Sequence, residues 1–176
     1  MSRYLKLGLA AALIAALAGC GDDGPGGVAV TAPVSTADVG AICARVEPAL
    51  PEQVDNTPRR DTTPRTDRTA AWGDPPVVMR CGVERPTALR ATSQLNTVNG
   101  IDWLVEERDG GHVFTTVGRA AYVEVTVPAG HDPQVGPLVD LAPAMQFVPP
   151  RPEFYPPPAA TPKQTATPRQ TATPKR

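Results

Sequence analysis

The stretch Ile101-Asp102-Trp103-Leu104-Val105-Glu106-Glu107-Arg108-Asp109-Gly110-Gly111-His112-Val113-Phe114-Thr115-Thr116-Val117 decides the fold class. Ile101, Trp103 and Val105 alternate against Asp102, Leu104 and Glu106, the period of a strand with one buried face. Asp109-Gly110-Gly111 supplies a turn, and residues 113–117 carry the chain back, so the whole reads as a β-hairpin.

Working outward, Ala121, Val123, Val125 and Val127 alternate with Tyr122, Glu124 and Thr126, predicting a third strand with water on one face. Val77-Val78-Met79-Arg80-Cys81-Gly82 is a further short strand, entered through a rigid bend at Gly73 and the paired prolines Pro75 and Pro76. Upstream, Val39, Ile42, Cys43, Val46 and Leu50 recur at helical intervals, with Ser35 and Asp38 at capping-box spacing and Pro48 and Pro51 as terminators. Residues 53–74 show no apolar periodicity and carry Thr-Pro steps, which reads as a long surface loop. Residues 138–145 add a short helix. The expected fold is α+β: a small antiparallel sheet of three or four strands with one N-terminal helix packed on it.

The amino terminus reads as an export signal. Arg3 and Lys6 precede an apolar run over residues 7–18, and Leu17-Ala18-Gly19-Cys20 closes it with small residues before Asp22 and Asp23. A dozen apolar residues fall short of the roughly 20 that a spanning helix needs. The quartet resembles the bacterial lipobox, which implies cleavage before Cys20 and lipid on that cysteine, with the mature protein held on the outer face of the cytoplasmic membrane. Without a twin-arginine pair, the resemblance is to general secretion, so no preloaded cofactor is expected.

Of the three cysteines, assigning Cys20 to lipid leaves Cys43 and Cys81. Outside the cytoplasm two such cysteines ordinarily pair, tying the helix to the sheet; two free buried thiols are the alternative. Loss of Arg3 and Lys6 with the signal takes the net charge from −1 to near −3, which gives no reason to expect a nucleic-acid partner.

The carboxyl terminus is built differently. Thr161-Pro162-Lys163-Gln164-Thr165-Ala166 is followed by Thr167-Pro168-Arg169-Gln170-Thr171-Ala172 and Thr173-Pro174-Lys175-Arg176, a six-residue repeat that cannot form a core. The organisation is therefore signal peptide 1–19, lipid-anchored flexible tether 20–34, globular domain 35–148 and Pro/Thr-rich disordered repeat tail 149–176. The tail's cations could lie along anionic wall polymers, or its threonines could accept sugars; a plain linker is the blander reading.

Several segments together resemble a known family: the cysteine-bearing helix, Ala71-Trp72-Gly73-Asp74-Pro75-Pro76, Arg80-Cys81-Gly82-Val83, Val98-Asn99-Gly100-Ile101-Asp102-Trp103 and Thr116-Val117-Gly118-Arg119. They look like the actinobacterial lipoproteins of domain of unknown function 3515. The resemblance spans residues 35–130 and implies a single lipoprotein domain, with no activity and no catalytic residues to carry over.

No catalytic constellation stands out. Ser35 and Ser93 lack a nucleophile-elbow motif, His112 and His131 read as surface histidines beside turns, and Cys43 and Cys81 are spoken for. Asp102, Glu106, Glu107 and Asp109 read as a solvated turn without metal-ligand spacing. No metal and no cofactor is expected. The candidate binding surface is the basic loop of Arg59, Arg60, Arg65 and Arg68, blunted by Asp61 and Asp67, together with Trp72, which could line a groove but fits core packing better. The expected role is a non-enzymatic binding or accessory module of the cell envelope, with an envelope protein or an anionic wall polymer as partner. The alternative is an extracytoplasmic hydrolase acting on wall polymers through carboxylates that sequence does not single out.

Overall fold

The computed structural model describes residues 27–151. Cys20 and the signal lie outside these residues, as does the repeat. The fold is α+β, with the helices and the disulfide on a sheet larger than expected. Eight strands run in the order β2-β3-β5-β6-β10-β9-β8-β7, and every neighbouring pair is antiparallel. They are β2 (Gln53–Val54), β3 (Thr57–Arg60), β5 (Thr69–Trp72), β6 (Val77–Val83), β7 (Asn96–Val98), β8 (Ile101–Arg108), β9 (Gly111–Val117) and β10 (Tyr122–Pro128). A separate parallel pair joins β1 (Val28–Ala29) to β4 (Thr62–Thr63).

The hairpin β8–β9 and the strand β10 form as their alternation predicts. Val123, Val125 and Val127 are wholly buried while their intervening neighbours are half-exposed. On β6 the same rhythm buries Val77, Met79 and Cys81, and the register sets Met79 opposite Val125 and Cys81 opposite Val123. Between Cys81 and Val83 the register slips by one, so Gly82 is the extra residue of a β-bulge, at φ +85°. A Cβ on Gly82 would stand 3.0 Å from Val39 Cγ1, so glycine both bends β6 and lets the first helix approach.

That helix, α1 (Ala37–Val46), is capped by Thr36, whose hydroxyl accepts from the Val39 amide at 3.4 Å. The expected cap was Ser35, one residue earlier; its hydroxyl is instead buried with no partner among the described residues. Pro48 ends α1 by turning it into a 3₁₀ turn over Glu47–Ala49. Cys43 and Val46 face inward, and Cys43 is bonded to Cys81 with Cα atoms 5.7 Å apart. The expected C-terminal helix is present as α2 (Gly136–Met145), which buries Leu138, Leu141, Ala144 and Met145 against the same core.

Three expectations are corrected. Residues 53–74 are not a surface loop: they hold β2, β3, β4 and β5, which supply the additional strands. All four residues of β5 are buried, so Thr69-Ala70-Ala71-Trp72 shows no period of two to read. The β2–β3 connection is Asp55-Asn56, both at positive φ (49° and 59°), the tight hairpin geometry that this residue pair tolerates. From Gly27 onward the segment expected as a flexible tether belongs to the fold, since the Val28 amide donates to the Asp61 carbonyl, the Val30 amide donates to the Thr63 carbonyl and Val30 is buried. The domain likewise runs past residue 148, because the Arg151 amide donates to the Gly118 carbonyl at 2.8 Å.

Candidate functional site

The segment from β3 through β4 to β5 lines, with Glu47 and Glu52, a groove of about 560 Å³. Its lining takes in Glu47 of the 3₁₀ turn and Glu52, Arg59 and Arg60 of β3, Asp61, the connection residues Arg65, Thr66 and Asp67, and Ala70 of β5. Among the described residues no aromatic side chain lines it. Among the described residues its lining carries four carboxylates (Glu47, Glu52, Asp61 and Asp67) and three guanidinium groups (Arg59, Arg60 and Arg65).

The arginines of the candidate surface separate. Arg59 donates to Glu47 at 2.8 Å, with both side chains partly exposed. Arg65 pairs with Asp61 at the rim. Arg60 donates to the Gly73 carbonyl at 3.0 Å and lies 4.0 Å from Asp74. Arg68 is not among the lining residues; it donates to the Pro33 carbonyl at 2.9 Å and so fastens the amino-terminal segment. Trp72 takes the core-packing place that its sequence favoured over the groove. It is wholly buried in the core, its indole N–H donating to the Pro51 carbonyl at 2.9 Å. Burying so large a ring on the inner face of β5 is what packing prefers, and the N–H finds the acceptor it then needs.

Both histidines depart from the surface reading. His131 keeps only 13% of its side chain exposed and is bonded through Nδ1 to Asp55, whose amide in turn donates to Asp140 at 2.8 Å. Sequence gave no sign of this contact, because it joins residues 76 positions apart. His112 stacks on Phe114 with ring centroids 6.1 Å apart, its Nδ1 buried and without a partner among the described residues. Among the described residues no three of His, Cys, Asp and Glu gather so as to hold a metal ion, and no helix is long and apolar enough to cross a membrane.

A second, smaller cavity of about 200 Å³ lies between the start of α1 and β6, lined by Ser35, Val39, Gly82 and Tyr122. It is where the residues of the Arg-Cys-Gly-Val segment meet the helix.

Compared with known proteins, residues 6–152 match the family described as "Protein of unknown function (DUF3515)". The chain belongs to the DUF3515 family. The match takes in both helices, the whole sheet and the segment ahead of Cys20, and it ends just before the repeat of this DUF3515 member. No curated protein and no solved structure matches the chain significantly.

Proposed function

We propose that this DUF3515 protein is an exported lipoprotein, held on the outer face of the cytoplasmic membrane by lipid on Cys20, whose domain is a non-enzymatic binding module of the cell envelope. The observation that carries the reading is the bond between Cys43 and Cys81 in the core, joining residues 38 positions apart. Such bonds persist in oxidising compartments, and this one accounts for two of the three cysteines. The third stands at the end of a short apolar run, in the setting where lipid is attached.

The groove supports a binding role and narrows the partner. Its carboxylates outnumber its arginines by four to three, and Arg59 and Arg65 are committed to Glu47 and Asp61. A polyanion would meet repulsion there, so the partner we favour is an envelope protein rather than an anionic wall polymer. The same pairing weakens the hydrolase alternative, because Glu47 and Asp61 already accept from guanidinium groups.

Photo-crosslinking in intact cells tests this. A crosslinker at position 65, on the rim, should give one reproducible protein adduct, and one at position 130, at the tip of the β10–α2 connection, should not. Adducts to wall polymer from position 65, or identical adducts from both positions, would contradict the reading.

A further inference from the structure

β7 covers only the first part of β8: pairing stops at Asn96 opposite Trp103, while β8 runs on to Arg108. Leu95, the residue before β7, packs with Leu89, Leu104 and Val117 on the sheet face opposite the main core, so the chain ahead of β7 does not continue along the edge. The closing pairs of the two-residue turns, Val98 with Ile101 and Arg108 with Gly111, fix the alternation of the backbone groups. Ile101 and Trp103 turn their N–H and C=O toward β7; Asp102, Leu104, Glu106 and Arg108 turn theirs toward β9. Val105 and Glu107 therefore hold two N–H and two C=O groups along an open edge, and among the described residues no backbone group bonds to them there.

Backbone groups spaced along an edge in this way are matched by another extended backbone, which makes the occupant a strand. Side chains then select among strands. A second copy laid antiparallel on this edge could pair these groups only in registers centred on Glu106 or on Glu107, each of which sets that carboxylate against its own counterpart, an unfavourable cross-strand pair. Glu106 is already paired with Arg108 at 2.7 Å, whereas the exposed Glu107 and Asp109 have no cationic partner among the described residues. The complementary strand is a basic one.

The register also says where its charge must fall. Val105 lies opposite Phe114 and packs on the main core, and Glu107, two residues on, lies opposite His112 and so shares that face. A strand added antiparallel to residues 104–108 therefore sets one side chain across from Glu107 and, two residues later in its own chain, another across from Val105. The first is complementary as lysine or arginine. The second is complementary as a β-branched apolar residue, which extends the cover over half-buried Val105.

We propose that the open edge of β8 takes up an extended segment of another protein as an added antiparallel strand, with a basic side chain across from Glu107 and an apolar one across from Val105. Backbone bonds supply the attachment, and the two side chains supply the choice of partner. This surface is separate from the groove, and the inference stands whether or not the groove binds.

Hydrogen exchange of the full-length protein, read at the Val105 and Glu107 amides, tests this with the peptide acetyl-Thr-Lys-Thr-Val-Thr-amide as the probe. At millimolar peptide both amides should exchange roughly tenfold more slowly, while the Leu104 and Glu106 amides, already paired with β9, should not change. The same peptide N-methylated at its valine has equal charge but one donor fewer, and it should give no slowing. Nor should the peptide with glutamate in place of lysine. No slowing with the lysine peptide, or equal slowing with either control, would overturn the proposal. So would amides that are already slow without peptide, or that slow as protein concentration rises, since these place the chain itself or a second copy on the edge.

Discussion

Arg119 donates to the Val148 carbonyl oxygen at 2.7 Å, and the same guanidinium reaches the Met145 carbonyl at 3.3 Å and the Gly100 carbonyl at 3.3 Å. One side chain at the end of β9 therefore holds the carboxyl end of α2 against the β7–β8 turn. Helix ends leave their last carbonyls without intrahelical donors, and a cation there is doubly suited to them.

Replacing Arg119 by alanine removes all of these bonds at once. Hydrogen bonds from charged groups contribute about 1.5–3 kcal/mol each where buried and less where exposed, so R119A should lose about 2–3 kcal/mol in all. Lysine should restore only part of it, because a single ammonium cannot span carbonyls on two elements. Urea unfolding of the three proteins checks this, and a lysine variant as stable as the native chain would refute the bridging role.

The Cys43–Cys81 bond closes a separation of 38 residues, and in the chain-entropy view removing it costs up to about 4 kcal/mol. The double variant C43A/C81A should unfold at clearly lower urea, and a reductant should shift the native protein toward it without moving the variant. A variant as stable as the oxidised protein would mean that α1 and β6 are held by packing alone.

Trp72 and Trp103 offer an internal comparison. Both are wholly buried, but the Trp72 indole donates to Pro51 whereas the Trp103 Nε1 has no partner among the described residues. Phenylalanine removes similar volume at each site. At position 72 it also breaks a bond, and at position 103 it relieves an unpaired donor. W72F should therefore be less stable than W103F by about 1 kcal/mol. Equal urea midpoints would contradict the assignment.

What the sequence disclosed follows from where water lies. β10 alternates because one of its faces is partly solvated, and α1 is legible from Val39 to Val46 for the same reason; β8 alternates only in part, because Leu104 is buried on its far face with Leu89 and Val117, and β9 passes from half-exposed to buried along its length. β5 was hidden because water reaches neither face, so Thr69 to Trp72 are all buried and no alternation is required. β2 and β4 were hidden by brevity, two residues each, although Asp55-Asn56 between Val54 and Thr57 was a usable hairpin signal. The candidate site was legible in part: Arg59, Arg60 and Arg65 do surround a groove, but Glu47 and Glu52 belong to its wall through a chain reversal that no local pattern records. The burial of Trp72 is the core packing its sequence favoured, although Asp74 two residues on is exposed.

The fold's amino-terminal strand also bears on the anchor. With Val28 and Ala29 paired to β4, only Gly21 to Gly26 separate Cys20 from the first described residue, so a lipid there would hold the domain close to the bilayer. Six residues at about 3.1–3.4 Å each can reach no further than roughly 20 Å.

The most direct measurement is metabolic labelling of the full-length chain with an alkyne fatty acid in a bacterial host, followed by mass determination of the mature amino terminus. The account predicts a labelled protein beginning at Cys20, found with the membranes, and an unlabelled, unprocessed product from Cys20→Ser. An unlabelled native chain, cleavage at another residue, or label that persists in Cys20→Ser would contradict it.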